Sequence, residues 1–459
     1  MHPEAARSTP GMSRRRFLES AAVAGAGLVL APTILGAEER TADKELGVAC
    51  IGMGTQGQVL LQNCLKVAGL RFVAVCDIWP YNQGRAVRLL KKYKHEAKGY
   101  ADYQEMLDAE KALDAVIIAT PDWVHAPITI TALKAGKHVY CEKEMSNSLA
   151  QARDMVVAAR ETKRLLQIGH QRRSNPRYHL ALDFVTQKKC CGTVAYVEGQ
   201  WNRAKRLEVG WPNDSDLDET TLRKYGYDTM HRLRNWRWYK KFSGGLIADL
   251  GSHQIDVFNW FLAAAPRAVT AIAGLDSYEN MEWYDNVSTI YEWEVNRDGA
   301  RRVVRGMYKV LSMSSNGGYF ETFFGNEGAL TISEIDLQGG IRREKEAPVA
   351  DWEKPYLEAA KPDKMVLPTP KEEKKDADQE LASHSKYSPG RYYPPIAVPG
   401  PAKSEHLPHL ENFFDAIRKG VPLTCPAEVG YETAVSVLRV NEAVEAQKRL
   451  EFRPEEFKA

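Results

Sequence analysis

Leu46-Gly47-Val48-Ala49-Cys50-Ile51-Gly52-Met53-Gly54-Thr55-Gln56-Gly57 decides the fold of this chain. Its first six residues are a short apolar run of the kind buried in a parallel sheet. They enter a Gly-x-Gly-x-x-Gly turn, and Val59, Leu60 and Leu65 continue it as a helix. A second apolar run, Phe72-Val73-Ala74-Val75-Cys76, ends on Asp77, twenty residues beyond Gly57. The glycines alone are a weak signal. The strand before them, the helix after them and the acid closing the next strand make a dinucleotide-binding fingerprint. Gly52 permits the tight turn, Gly54 lets the backbone approach a pyrophosphate, and Gly57 lets helix and strand pack closely. Thr55 and Gln56 open the helix, whose N-terminal N–H groups favour phosphate. Asp77 suits ribose hydroxyls and repels a 2′-phosphate, which favours NAD; Arg85, further along, leaves NADP open as the less favoured cofactor.

The alternation continues. The run Ala115-Val116-Ile117-Ile118-Ala119 leads into Thr120-Pro121-Asp122-Trp123-Val124-His125, and a helix near 128–135 ends at Gly136. His138-Val139-Tyr140-Cys141 precedes Glu142-Lys143-Glu144; a helix over about 149–162 and the run Leu165–Ile168 follow. Repeated strand–helix units predict an α/β fold with a doubly wound parallel sheet over 46–168, ligands sitting at the strand carboxyl ends. Gly52, Asp77, Thr120 and Glu142-Lys143 all fall there. Beyond it, residues 169–459 read as a second, α+β domain. Strand-type runs at 193–201, 268–274, 287–295, 301–312, 318–324 and 328–333 predict a large open, mainly antiparallel sheet. In the third run Tyr291, Trp293 and Val295 alternate with glutamates, but Val287-Ser288-Thr289-Ile290 breaks the alternation and leaves the register open. Residues 341–403, rich in Pro and Lys, read as a surface excursion or an arm. Leu410, Phe413, Phe414 and Ile417 make one apolar helix face stopped at Gly420, and a last helix spans about 427–447.

Residues 1–37 read as an address, with 38–45 as a linker. Ser13-Arg14-Arg15-Arg16-Phe17-Leu18 precedes a weakly apolar stretch from Ala21 to Leu35 that is too short to span a bilayer, and Leu35-Gly36-Ala37 suits cleavage. The pattern resembles a bacterial twin-arginine export signal, which implies passage through the Tat translocase in the folded state to the periplasm, without a membrane anchor afterwards. The 459 residues are 44% apolar and 27% charged, so neither a disordered chain nor a polytopic membrane protein is expected. Basic and acidic residues number 62 and 60; without the leader's four arginines and two glutamates, 58 of each remain. Net charge therefore gives no push toward nucleic acid. Seven cysteines without ligand spacing predict neither a disulfide framework nor a structural zinc.

The sequence resembles the Gfo/Idh/MocA oxidoreductases. The resemblance rests on the glycine turn, Ala119-Thr120-Pro121 with His125, and Ala135-Gly136-Lys137-His138-Val139-Tyr140-Cys141-Glu142-Lys143. It extends through Gly244-Gly245-Leu246-Ile247-Ala248-Asp249-Leu250-Gly251-Ser252-His253-Gln254-Ile255-Asp256 and Asn412-Phe413-Phe414-Asp415-Ala416-Ile417-Arg418. It implies a Rossmann domain and an open-sheet domain, a carbohydrate or cyclitol bound between them over the nicotinamide, and a homodimer or homotetramer. It makes Lys143 the central catalytic lysine and matches Asp249 and His253 to an acid and a histidine one helical turn apart. Thr120, Pro121, His125, Glu142 and Lys143 match cofactor-cradle positions. The family's usual proline after the lysine is Glu144 here.

Oxidising a secondary alcohol removes a hydroxyl proton as hydride leaves carbon. Lys143 and His253 are the candidate proton-transfer pair, and Asp249 would orient the histidine or grip a hydroxyl. A metal held by Asp249, His253 and Asp256 lacks a further ligand motif, and none is predicted. On the substrate side, Gln171, Arg172 and Arg173 open the second domain, and Trp201, Trp236, Arg237 and Trp238 lie in or near an aromatic-rich excursion over 200–243. These either contact substrate or pack beside the sheet. Three functions stay open: an exported oxidoreductase with NAD tightly bound and recycled; a glycoside hydrolase or lyase working by transient oxidation and elimination; and an inactive NAD- and ligand-binding sensor, with Glu144 marking a disabled site.

Overall fold

The computed structural model describes residues 45–297, 299–335, 338–359, 390–398 and 404–459. The expected export leader, residues 1–37, lies outside the described residues, as does the stretch 360–389 of the Pro- and Lys-rich segment. Among the described residues no helix is long and apolar enough to cross a membrane.

The first sheet has six parallel strands: β1 (Leu46–Ile51), β2 (Leu70–Cys76), β3 (Lys98–Tyr100), β4 (Ala115–Ile118), β5 (His138–Cys141) and β6 (Leu166–Ile168). Their order, β3-β2-β1-β4-β5-β6, is that of a doubly wound sheet. The helices between them are α1 (Thr55–Cys64), α2 (Pro80–Lys92), α3 (Tyr103–Ala109), α4 (Asp122–Lys134) and α5 (Leu149–Thr162). β1 and β4 are fully buried apolar strands, as a sheet covered on both faces requires. β3 was not foreseen, because the edge triplet Lys-Gly-Tyr carries no apolar run.

α6 (Pro176–Thr186) leads into the second sheet, whose strands β7 (Val194–Ala204), β8 (Pro266–Gly274), β9 (Asn286–Arg297), β10 (Ala300–Met313), β11 (Tyr319–Gly325) and β12 (Gly328–Ile332) run in the order β12-β11-β7-β10-β9-β8. β7 and β10 are parallel and the other neighbours antiparallel. Register in β9 is continuous: Val287, Thr289, Tyr291, Trp293 and Val295 all point inward. The alternation looked broken because Thr289 is buried, donating to the carbonyl of Tyr308, while Ile290 faces outward at 53% exposure. The inner face is covered by α7 (Ser252–Leu262), whose Phe258 meets Trp293 and Phe323 edge-on.

The chain then returns to the first sheet. α8 (Leu407–Lys419), stopped at Gly420 with φ 69°, places Leu407, Leu410, Phe413 and Phe414 in one buried cluster with Val48, Leu60, Phe72 and Ile117. The last long helix, α9 (Ala427–Ala446), follows. The described residues of 342–392 belong to a separate small unit. Its described part folds round the buried carboxylate of Glu353, which accepts from Arg343, Arg391 and the Ala350 amide.

Candidate active site

The glycine turn is built for a phosphate. Gly52 has φ +85°, and a Cβ there would lie 2.7 Å from the Ala119 carbonyl. A Cβ on Gly57 would lie 1.9 Å from the Gly52 oxygen, so helix and strand touch at that point. At Gly54 a Cβ would meet nothing within 4 Å, and no side chain caps α1. Open space thus faces free N–H groups at the positive end of a helix. Asp77 stands at the end of β2 and fastens this turn, its carboxylate accepting from the amides of Met53 at 2.7 Å and Trp79 at 2.8 Å and from Asn82 at 3.2 Å. Burial raises its pKa, and those donors oppose the rise. Across the cleft, Thr120 Oγ1 at the end of β4 is buried without a hydrogen-bond partner among the described residues. The space, the donors and the orphaned hydroxyl fit NAD.

His125 holds two loops together. Its Nδ1 lies 2.7 Å from the Glu144 carbonyl and its Nε2 2.8 Å from the Thr120 carbonyl. Neither oxygen can donate, so both ring nitrogens must, and the ring is an imidazolium. Burial alone would lower its pKa; Cys141, Asp122 and the Glu144 carbonyl outweigh that and push it up to about 10. Pro121, at the start of α4, completes this loop. Glu142 binds the Lys143 amide at 3.2 Å and the Gln56 side chain at 3.1 Å; Gln56 also contacts His406 Nε2 at 2.6 Å.

Lys143 follows β5, and its Nζ donates to the main-chain carbonyl of Asp249. That carbonyl is presented by a π-helical turn, Ile247–Gly251, a form concentrated at functional sites. The Asp249 carboxylate is gripped by Arg237 Nε at 2.8 Å and Arg203 at 3.2 Å. Burial would raise its pKa, but Arg237, Arg203 and Lys143 hold it well below the usual carboxylate range. His253, four residues on, is buried with Nδ1 unpartnered among the described residues. Burial first, then Lys143, Arg172 and the neighbouring histidines, hold its imidazole neutral. Trp201 lies beside it, ring centroids 5.5 Å apart. His170, also buried and unpartnered among the described residues, is pushed down to about 4 by burial, a nearby third imidazole.

Glu144 turns into the protein, its Oε1 accepting from the Met145 amide at 2.8 Å. Burial pushes its pKa up to about 8. The Lys143–Glu144 peptide is cis.

Of the substrate-side candidates, Arg237 and Trp201 reach the site and Trp236 stacks on Arg237, 4.1 Å from the guanidinium. Arg172 is 1% exposed and paired with Glu321 and Glu334. Arg173 grips Asp256, whose carboxylate also accepts from Thr433, so Asp256 does not join Asp249 and His253. Gln171 is buried, and Trp238 packs edge-on against Tyr278. Arg203, Arg206, Arg234 and His406 were passed over. The two arginines three apart at the end of β7's apolar run were the only available signal, and His406 sits in no motif.

Residues 205–243 cross the strand ends of the first sheet. Trp79 donates to the Ser215 carbonyl at 2.5 Å, Trp123 to the Tyr227 hydroxyl at 3.2 Å, and Arg234 lies over the Trp79 ring.

The profile of the oxidoreductase family with an NAD-binding Rossmann fold matches residues 46–170, and that of its C-terminal alpha/beta domain matches residues 216–452. Inositol 2-dehydrogenase of Salmonella typhimurium is 36% identical over 192 residues, 41% of this chain and 55% of that protein. A glycosyl hydrolase family 109 protein of Stenotrophomonas maltophilia is 36% identical over 138 residues, 28% of this chain and 29% of that one. The chain thus spans about half the length of the inositol dehydrogenases it matches, and less of the hydrolases. A levoglucosan dehydrogenase structure in complex with NADH shares the fold, with TM-score 0.63 at 17% identity over 89% of this chain and 99% of that one. With a glycine turn shaped for a dinucleotide, a lysine at the end of β5 and both profiles matched in order, the chain belongs to the Gfo/Idh/MocA oxidoreductase family.

Proposed function

We propose that this protein is an oxidoreductase acting on a secondary hydroxyl of a sugar, glycoside or cyclitol, exported to the periplasm as a homodimer or homotetramer with NAD held tightly and recycled. One observation carries the reading: the Lys143 ammonium bonds to the Asp249 carbonyl, joining the end of β5 to the turn that leads into His253. Gly52, Gly54, Thr55, Gln56, Gly57 and Asp77 would hold the cofactor's phosphates and ribose, with Thr120, Pro121, His125 and Glu142 framing the cleft. NAD, when bound, supplies the acceptor for the hydride. Lys143 and His253 carry the hydroxyl proton: the neutral imidazole accepts from the hydroxyl, and Asp249, fixed by two arginines, keeps Lys143 aimed. The segment 205–243, tied to Trp79 and Trp123, closes over the strand ends, which supports a cofactor that does not exchange freely.

A cofactor retained in the periplasm must give its hydride back, to a second substrate or to the same one. Similarity to glycosyl hydrolase family 109 proteins supports the second reading, cleavage through transient oxidation and elimination. Denaturing the purified mature protein and assaying the supernatant tests retention; no stoichiometric nicotinamide would end it. Aryl glycosides incubated without added acceptor separate the two chemistries: release of the aryl group means cleavage, and its absence with ketone formation means net oxidation.

A further inference from the structure

Beside Asp249 lies a cavity whose wall carries four guanidinium groups, those of Arg203, Arg206, Arg234 and Arg237. Asp249 is the single carboxylate in that wall, and its two oxygens are taken by Arg203 and Arg237. Arg234 donates to the Gly210 carbonyl and lies over Trp79, and the Asp77 carboxylate is close enough to act as its counter-charge without an ion pair between them among the described residues. The Arg206 side chain has no hydrogen-bond or ion-pair partner among the described residues, although it is half-buried. Asn235, Ser312 and Tyr278 add neutral polar groups. A wall with several positive charges and one anion is electrostatically uncompensated, and like charges crowded in a cleft repel unless an anion joins them.

We infer that this cavity binds an oxyanion carried by the substrate, so that the sugar or cyclitol is an acid or an acid ester rather than a neutral polyol. Planar guanidinium forks suit carboxylate, sulfate or phosphate oxygens. The wall is drawn from residues 203–312, downstream of the nucleotide-binding strands, whereas the glycine turn has its own anion site at α1. Within the wall, Arg234 leans toward Trp79 and Asp77 on the cofactor's side, whereas Arg203 and Arg237 grip Asp249, whose carbonyl accepts from Lys143, and that proximity to Lys143 assigns the charge at this end to the substrate. Burial and Arg237, with Arg203 adding, lower the pKa of Arg206 against the opposing pull of Asp249. The anion would lie next to the Asp249 carboxylate, with Arg203 and Arg237 shared between the two, and so would fix the sugar's orientation toward Lys143.

This inference rests on the oxidoreductase reading for its substrate, but the anion site is measurable without turnover. Calorimetric titration of the purified protein, with and without NAD, uses D-glucuronate, sulfate and D-glucose as probes at low ionic strength. The expected result is binding of glucuronate or sulfate, with glucose at least about tenfold weaker. Arg206→Gln should weaken the anions about tenfold or more, a loss of roughly 1.4 kcal/mol, and leave NAD affinity unchanged. Arg206→Lys, which keeps the charge and loses the planar fork, serves as the second variant should the first not fold. Three outcomes overturn the proposal: neither anion binds; both anions bind but are indifferent to the arginine variants; or the variants weaken NAD and spare the anions, which would make the cofactor's phosphates the bound group. Loss of NAD binding with arginine-dependent anion binding intact would sink the oxidoreductase reading and leave the anion site standing.

Discussion

Lys143 and Asp249 are hydrogen-bonded through a main-chain carbonyl, not through an ammonium–carboxylate pair: the ammonium donates to the Asp249 main-chain oxygen while the Asp249 carboxylate is bound by Arg203 and Arg237. The aspartate therefore sets where Lys143 points and leaves its remaining protons for a substrate.

Lys143→Met should keep the fold and stop the chemistry. The variant loses one hydrogen bond, about 1 kcal/mol. Turnover should fall roughly 10²–10⁴-fold, as for removal of a positioned proton carrier. Thermal melting beside a rate assay checks the split; undiminished turnover in the variant would remove Lys143 from the chemistry, and no turnover in the wild type would favour the sensor reading.

Gly54→Ala and Gly57→Ala should fail in opposite ways. A methyl at 54 enters empty space at an allowed backbone conformation, so stability should hold while NAD affinity drops about tenfold or more. A methyl at 57 would press on the Gly52 oxygen, so the protein itself should lose about 1–3 kcal/mol or more. Denaturant unfolding and NAD titration on both variants read the two effects separately.

Glu144 should make the protein less stable in base. Its folded pKa of about 8 lies above the ordinary 4.5, so between those values the native state holds a proton the unfolded chain has released. Stability then declines with rising pH through that interval, by roughly 1.4 kcal/mol per unit at most, and is not regained above it. Glu144→Gln keeps an oxygen for the Met145 amide and removes the titration. Its melting temperature should gain on the wild type progressively from pH 5 to pH 8.5; parallel curves would contradict this.

Arg172→Met distinguishes a structural arginine from a substrate ligand. Removing it leaves Glu321 and Glu334 buried without their counter-charge, which should cost about 3–5 kcal/mol. Unfolding at lower denaturant, with KM unchanged in the folded fraction, is the expected pattern; normal stability with a raised KM would restore the substrate role.

Much of this was legible in the chain because it rests on local rules. The turn from Gly52 to Gly57 reads directly from steric need, and the strands around it from apolar runs too long for anything but a covered sheet. Long-range charge pairing was not legible. Arg172 and Arg173 looked available because Glu321, Glu334 and Asp256 are separated from them by 83 residues or more. Conversely, Arg203, Arg206, Arg234 and Arg237 converge only after β7 and the 205–243 segment fold back on each other. Glu144 looked like a disabling charge beside Lys143; its rotation into the interior is a packing outcome that no spacing encodes.

Because α8 packs into the hydrophobic layer over β1, β2 and β4, the nucleotide-binding half is assembled from segments far apart in the sequence. Its strands leave the ribosome hundreds of residues before the phenylalanines that complete their packing. Until those residues are made, that apolar layer stays uncovered, so truncation before position 407 should yield an insoluble fragment rather than a free-standing nucleotide binder.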